Sequence, residues 1–145
     1  MNIYLDTSSL FKLYHKENGT EELEDFFNNQ QIERVFLAEL AKIEFASVVW
    51  RKCRMKEIDF DKANLVLAGF SHDHHKFLFV PDSNIVKEWA VSLISTYWQS
   101  GLRTLDSIQL ASALTIKEKV DLFQTSDLVL QKLAEKEGFY TILNG

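Results

Sequence analysis

The chain has 145 residues, a formal net charge of −5, 46% hydrophobic and 26% charged residues. That length can bury roughly two-thirds of the unfolded surface in one domain, 1–145, without a disulfide or structural metal. The acidic balance argues against coating of duplex nucleic acid, no apolar run approaches the roughly 18 residues of a membrane span, and a single Cys53 fits a reducing compartment. With no basic, apolar leader at Met1–Glu17, the expected location is the cytoplasm.

Ile3-Tyr4-Leu5 is too short for a helix and is closed by Asp6-Thr7-Ser8-Ser9, so it reads as a buried strand running into a helix N-terminus. Helical patterns follow at about Ser8–Lys16 and Thr20–Asn29, then a strand at Val35-Phe36-Leu37. A long helix covers Ala38–Lys56 and another Asp59–Ser71; Phe77–Val80 is a strand stopped by the lone Pro81. Helices are predicted at Asp82–Gln99, Leu105–Lys117 and Asp127–Glu137, the last with Gly138 at its C-cap. Val120–Thr125 and a terminal Phe139–Leu143 complete the strands. Short apolar strands alternating with helices predict an α/β sandwich around a mainly parallel sheet.

In such a sheet, chemistry gathers beyond the carboxyl ends of the strands. Asp6 and Asp127 follow strands and are expected there, although each alone is also a good helix N-cap. Glu44 lies inside a helix, on the stripe of Leu40, Ala41 and Val48. An unpaired carboxylate buried there costs several kcal/mol, unless it reaches water or a Lys or Arg. Asp106 shares its stripe with Leu110, Ala113 and Leu114, where it also complements the helix dipole. Four carboxylates brought together would repel and raise one another's pKa. With Mg²⁺ or Mn²⁺ they make chemical sense, since hard cations select carboxylate oxygens.

These segments resemble the PIN-domain nucleases, and most closely the VapC-type toxins of toxin–antitoxin pairs. The matching stretches are Tyr4-Leu5-Asp6-Thr7-Ser8-Ser9-Leu10, Glu44-Phe45-Ala46-Ser47-Val48-Val49-Trp50-Arg51, Leu105-Asp106-Ser107-Ile108-Gln109-Leu110-Ala111-Ser112-Ala113 and Thr125-Ser126-Asp127. The resemblance implies a three-layer α/β/α fold with Asp6, Glu44, Asp106 and Asp127 as catalytic, metal-binding acids. Thr125 and Ser8 match supporting polar positions. It further implies endoribonuclease activity with one or two Mg²⁺ or Mn²⁺ ions, a cognate antitoxin that neutralises the protein, and a homodimer. A nuclease of RNA maturation or DNA processing, or a non-catalytic domain of the same fold, would share this pattern.

Since the global charge opposes RNA, grip must be local. Arg51, two turns beyond Glu44, and Arg103, just before Asp106, are the candidate RNA contacts, Arg51 doubling as a residue suited to a helix C-terminus. Three readings are set aside. His72-Asp73-His74-His75 lacks a companion cluster for zinc and is expected to be a solvated loop. Cys53 has no His to activate it. Trp89, Leu93, Tyr97 and Trp98 read as core or subunit contact.

Overall fold

The computed structural model describes residues 1–142. Strands β1 (Asn2–Leu5), β2 (Arg34–Ala38), β3 (Leu78–Val80) and β4 (Leu122–Gln124) form a parallel sheet in the order β3-β2-β1-β4. Helices α1 (Thr7–Lys12), α2 (Thr20–Asn29), α3 (Ala41–Arg54), α4 (Phe60–Asp73), α5 (Asn84–Tyr97), α6 (Thr104–Thr115) and α7 (Leu128–Lys136) supply the crossovers and the closing element.

Strand side chains alternate between faces, and that alternation sorts the core into two halves. Tyr4, Phe36, Ala38, Val80 and Phe123 pack with α5, α6 and α7. Ile3, Leu5, Leu37 and Leu122 pack with α1, α3 and α4 on the opposite face. The result is the expected three-layer α/β/α sandwich, whose strands are mainly apolar because helices cover both sides.

Several boundaries differ from the sequence expectation. The first helix stops at Lys12, since the Thr20 hydroxyl donates to the Lys12 carbonyl and accepts from the Glu17 amide, pinning a turn. That turn passes through Gly19 at φ +95°, a backbone conformation that glycine adopts freely. Ala38 ends β2, where it pairs with Val80, so α3 begins at Ala41. The histidine stretch is helical: α4 runs through Asp73, and His74–Lys76 form one 3-10 turn. Asp73 accepts from the Tyr14 hydroxyl at 2.8 Å, which ties the end of α4 to the segment after α1. No terminal strand forms over residues 139–142. Beside β4 the segment makes one backbone bond, Phe123 N–H to the Tyr140 carbonyl at 2.8 Å, and the Gln131 amide takes the Ile142 carbonyl at 3.0 Å. Leu143 lies outside the described residues.

Trp89 and Trp98 are 42% and 65% exposed, whereas Leu93 is buried. The two tryptophans therefore belong to the surface rather than the core. No helix among the described residues is long and apolar enough to cross a membrane.

Candidate active site

Parallel pairing brings the carboxyl ends of the strands to one edge, and the register is specific. Leu5 pairs with Gln124, and the Asp6 amide donates to the Gln124 carbonyl at 3.1 Å. The residues that leave β1 and β4 are thereby neighbours, although 119 positions separate Asp6 from Thr125.

Asp6 is 3% exposed and caps α1, one carboxylate oxygen accepting from the Ser9 amide at 3.1 Å. The Thr125 hydroxyl donates to its other oxygen at 2.7 Å, and the Ser8 hydroxyl lies 2.8 and 2.9 Å from the two oxygens. All these partners are neutral. Burial pushes the Asp6 carboxyl up to about 6, opposed by Thr125, Ser8 and Ser9 and reinforced by the charge of Asp106. Thr125 also accepts from the Asp127 amide at 3.0 Å, so one hydroxyl orients the start of α7 as well. Asp127 caps that helix by accepting from the Leu130 amide at 2.9 Å.

Glu44 is held by two residues the sequence reading did not single out. Gln109, 1% exposed on α6, donates from its amide to the Glu44 carboxylate at 2.7 Å and to the Thr7 hydroxyl at 3.1 Å. Thr7 in turn donates to the same Glu44 oxygen at 3.1 Å. The Gln109 carbonyl oxygen accepts from the buried Tyr4 hydroxyl at 2.7 Å. The available signal was a long polar side chain at i+3 from Asp106 on an otherwise apolar stripe. Burial raises the Glu44 carboxyl despite these donors, and Asp106 adds to the rise.

Asp106 is the acid whose charge reaches both Asp6 and Glu44. Burial raises its carboxyl first, the charge of Asp127 adds to this, and Arg103 partly offsets it. Arg103 is the N-cap residue of α6, three positions before Asp106, so the structure brings this pair together. Arg51 is different. It is exposed near the far end of α3, and seven residues of helix carry it about 10 Å from Glu44. No hydrogen bond or ion pair ties it to the acids among the described residues.

The four acids fit a divalent ion in donor chemistry and in charge: all are hard oxygen donors, and none has a Lys or Arg partner within ion-pair distance among the described residues. They face one another without converging, since no three Asp, Glu, His or Cys side chains among the described residues share one ion-sized point. The histidines form no such group either.

A family model described as PIN domain matches residues 3–136. The chain belongs to the PIN-domain family. Ribonuclease VapC47 of Mycobacterium tuberculosis is 31% identical over 145 residues, covering 99% of this PIN-domain chain and 97% of that protein. Among solved structures, VapC20 of M. tuberculosis, described as a sarcin-ricin-loop-cleaving toxin, superposes with a TM-score of 0.70 at 14% identity. It covers 94% of this chain and 95% of its own. A toxin–antitoxin complex from Klebsiella pneumoniae gives a TM-score of 0.60 at 16% identity, covering 86% of each chain. At these identities the solved structures speak for the fold, and the PIN-domain assignment rests on the family match and the M. tuberculosis relative.

Proposed function

We propose that this PIN-domain protein is a divalent-metal-dependent endoribonuclease, the toxin of a toxin–antitoxin pair acting in the cytoplasm. The observation that carries the reading is the set of four carboxylates, Asp6, Glu44, Asp106 and Asp127, at the carboxyl edge of the sheet with no Lys or Arg within ion-pair distance among the described residues. The naming of VapC47 as a ribonuclease and the toxin fold of the structural neighbours support it.

Asp6, Asp106, Asp127 and Glu44 are the residues that would hold one or two Mg²⁺ or Mn²⁺ ions. Such ions would supply an attacking water of lowered pKa and polarisation of the phosphate. Ser8 and Thr125 fix the rotamer of Asp6, while Gln109 and Thr7 do the same for Glu44. Arg103 supplies positive charge beside Asp106 for the incoming phosphate. Water adds to phosphorus and the bond to the 3′ oxygen breaks, leaving 5′-phosphate and 3′-hydroxyl ends. The 2′-hydroxyl takes no part, and no histidine is needed as a base.

A cluster of acids without an ion-pair partner also suits inhibition by a partner's basic side chain, and a cognate antitoxin inserting Lys or Arg would use it. The protein acts as a homodimer in this reading, testable by light scattering. The central experiment is cleavage of total RNA by purified protein with Mg²⁺, Mn²⁺ or EDTA, beside Asp106→Asn prepared identically. Discrete, metal-dependent fragments absent from the mutant are expected. Cleavage that persists in EDTA or in the mutant would overturn the proposal.

A further inference from the structure

Gln124 closes β4 and is 3% exposed, yet its amide is poorly satisfied. Its carbonyl oxygen has no hydrogen-bond partner among the described residues, and its NH₂ reaches only the Thr125 carbonyl at 3.3 Å and the Ser9 hydroxyl at 3.5 Å. A buried amide oxygen left bare is costly, so it marks a place where something else donates. Gln124 lines a cavity of about 600 Å³ that extends from Thr125 at the acidic site to Leu23 and Phe26 of α2. That volume lies within the range of small-ligand pockets.

We infer that this cavity is a nucleobase subsite, taking one unstacked base of the RNA beside the phosphate at Asp6, with the loosely held Gln124 amide, whose oxygen is turned away from solvent in this structure, rotating to pair with the base edge. The inference rests on the RNA-cleaving reading above. Single-stranded RNA is read by splaying out bases, packing them on aromatic or apolar faces and bonding their edges. Leu23 and Phe26 provide such a face, and Gln124 provides a weakly bonded amide in the cavity wall. Thr125 links the two halves: it lines the cavity and donates to Asp6 at 2.7 Å. Glu22 and Lys12 also line the cavity. The Glu22 carboxylate disfavours a phosphate inside, which selects the neutral base, and the Lys12 ammonium beside it is held by the Asn18 carbonyl.

Two experiments test it. Cut sites in a randomised single-stranded RNA pool are compared for wild type, Gln124→Met and Phe26→Ala. Wild-type cuts are expected to cluster beside one or two bases, a preference that falls about tenfold in each variant, the worth of one hydrogen bond for Gln124→Met and of one stacked base for Phe26→Ala. An identical base pattern in all three overturns the subsite. Independently of cleavage and of any folding defect in the variants, the Gln124 side-chain amide resonance of wild-type protein is titrated with each of the four nucleoside 5′-monophosphates. A saturable shift with one or two of them supports the subsite. No shift with any of the four overturns it, as does a shift produced only by co-expressed antitoxin, which would assign the cavity to a peptide. If the amide responds to nucleotides while wild-type protein cuts no RNA, the nuclease reading fails and the base subsite stands.

Discussion

The Gln109 amide donates a 2.7 Å hydrogen bond to the Glu44 carboxylate, joining α6 on one face of the sheet to α3 on the other. The bond passes around the carboxyl edge of β1, where Thr7 and Tyr4 complete the same network. Glu44 is thus positioned from the opposite layer of the sandwich.

Replacing Gln109 with Leu should expose what this link contributes. The substitution orphans the buried Tyr4 hydroxyl and removes one of the two donors that lower the Glu44 carboxyl. Urea unfolding is expected to show a loss of about 1–3 kcal/mol. The acid limb of the cleavage-rate profile should move to higher pH, because Glu44 then ionises later. A variant with reduced stability and an unmoved acid limb would show that Gln109 has only a structural role.

Thr125 tests the other arm. Thr125→Val keeps the shape but loses the hydroxyl that donates to Asp6 and accepts from the Asp127 amide. Cleavage is expected to fall about tenfold to a hundredfold, the size of a misplaced catalytic geometry. Thr125→Ser should retain most activity. Equal rates for Val and Ser, measured on one RNA substrate, would remove the hydroxyl from the account.

The metal-free protein should become less stable as pH rises. Asp6 has its folded carboxyl raised from 3.8 to about 6, so its protonated form favours folding. That contribution is complete below about pH 4 and lost as pH passes through about 6, worth up to about 3 kcal/mol. Glu44 and Asp106 are raised as well and act with the same sign. Thermal melts in EDTA from about pH 4 to about pH 8 should fall by several degrees through this change. Excess Mg²⁺ should flatten the fall, since an ion compensates the ionised acids; a curve unaffected by Mg²⁺ would count against the metal site.

Asp127 has two jobs that substitution can separate. Asn can still cap α7 by accepting from the Leu130 amide. Asp127→Asn is therefore expected to keep stability and lose activity by orders of magnitude. Asp127→Ala should lose the same activity and about 1 kcal/mol besides. If Asp127→Asn cleaves like wild type, the residue is a cap and nothing more.

The layers were legible because buried parallel strands read as plain apolar runs, and Ile3-Tyr4-Leu5 ending in Asp6 could be little else. The four candidate acids stood out for a related reason, since Glu44 and Asp106 interrupt stripes that should be apolar. Gln109 and Gln124 interrupt buried positions too, but a neutral amide advertises no chemistry until its partners are known, and those partners lie on other elements. Residues 139–142 keep the apolar pattern of a strand, yet the Gln131 side chain takes a carbonyl there, leaving one ladder-like bond to β4. Arg51 shared a face with Glu44 on paper, and the rise of the helix then carried it away from the acids.

The pairing of β1 with β4 has a consequence for synthesis. The Thr125 partner of Asp6 emerges from the ribosome 119 residues after it. Glu44 likewise waits for Gln109. Contacts so distant along the chain form late in folding, so a nascent or truncated polypeptide carries scattered acids and no assembled centre. A chain whose proposed target is RNA therefore gains its proposed centre only once β4 and Thr125 have been made.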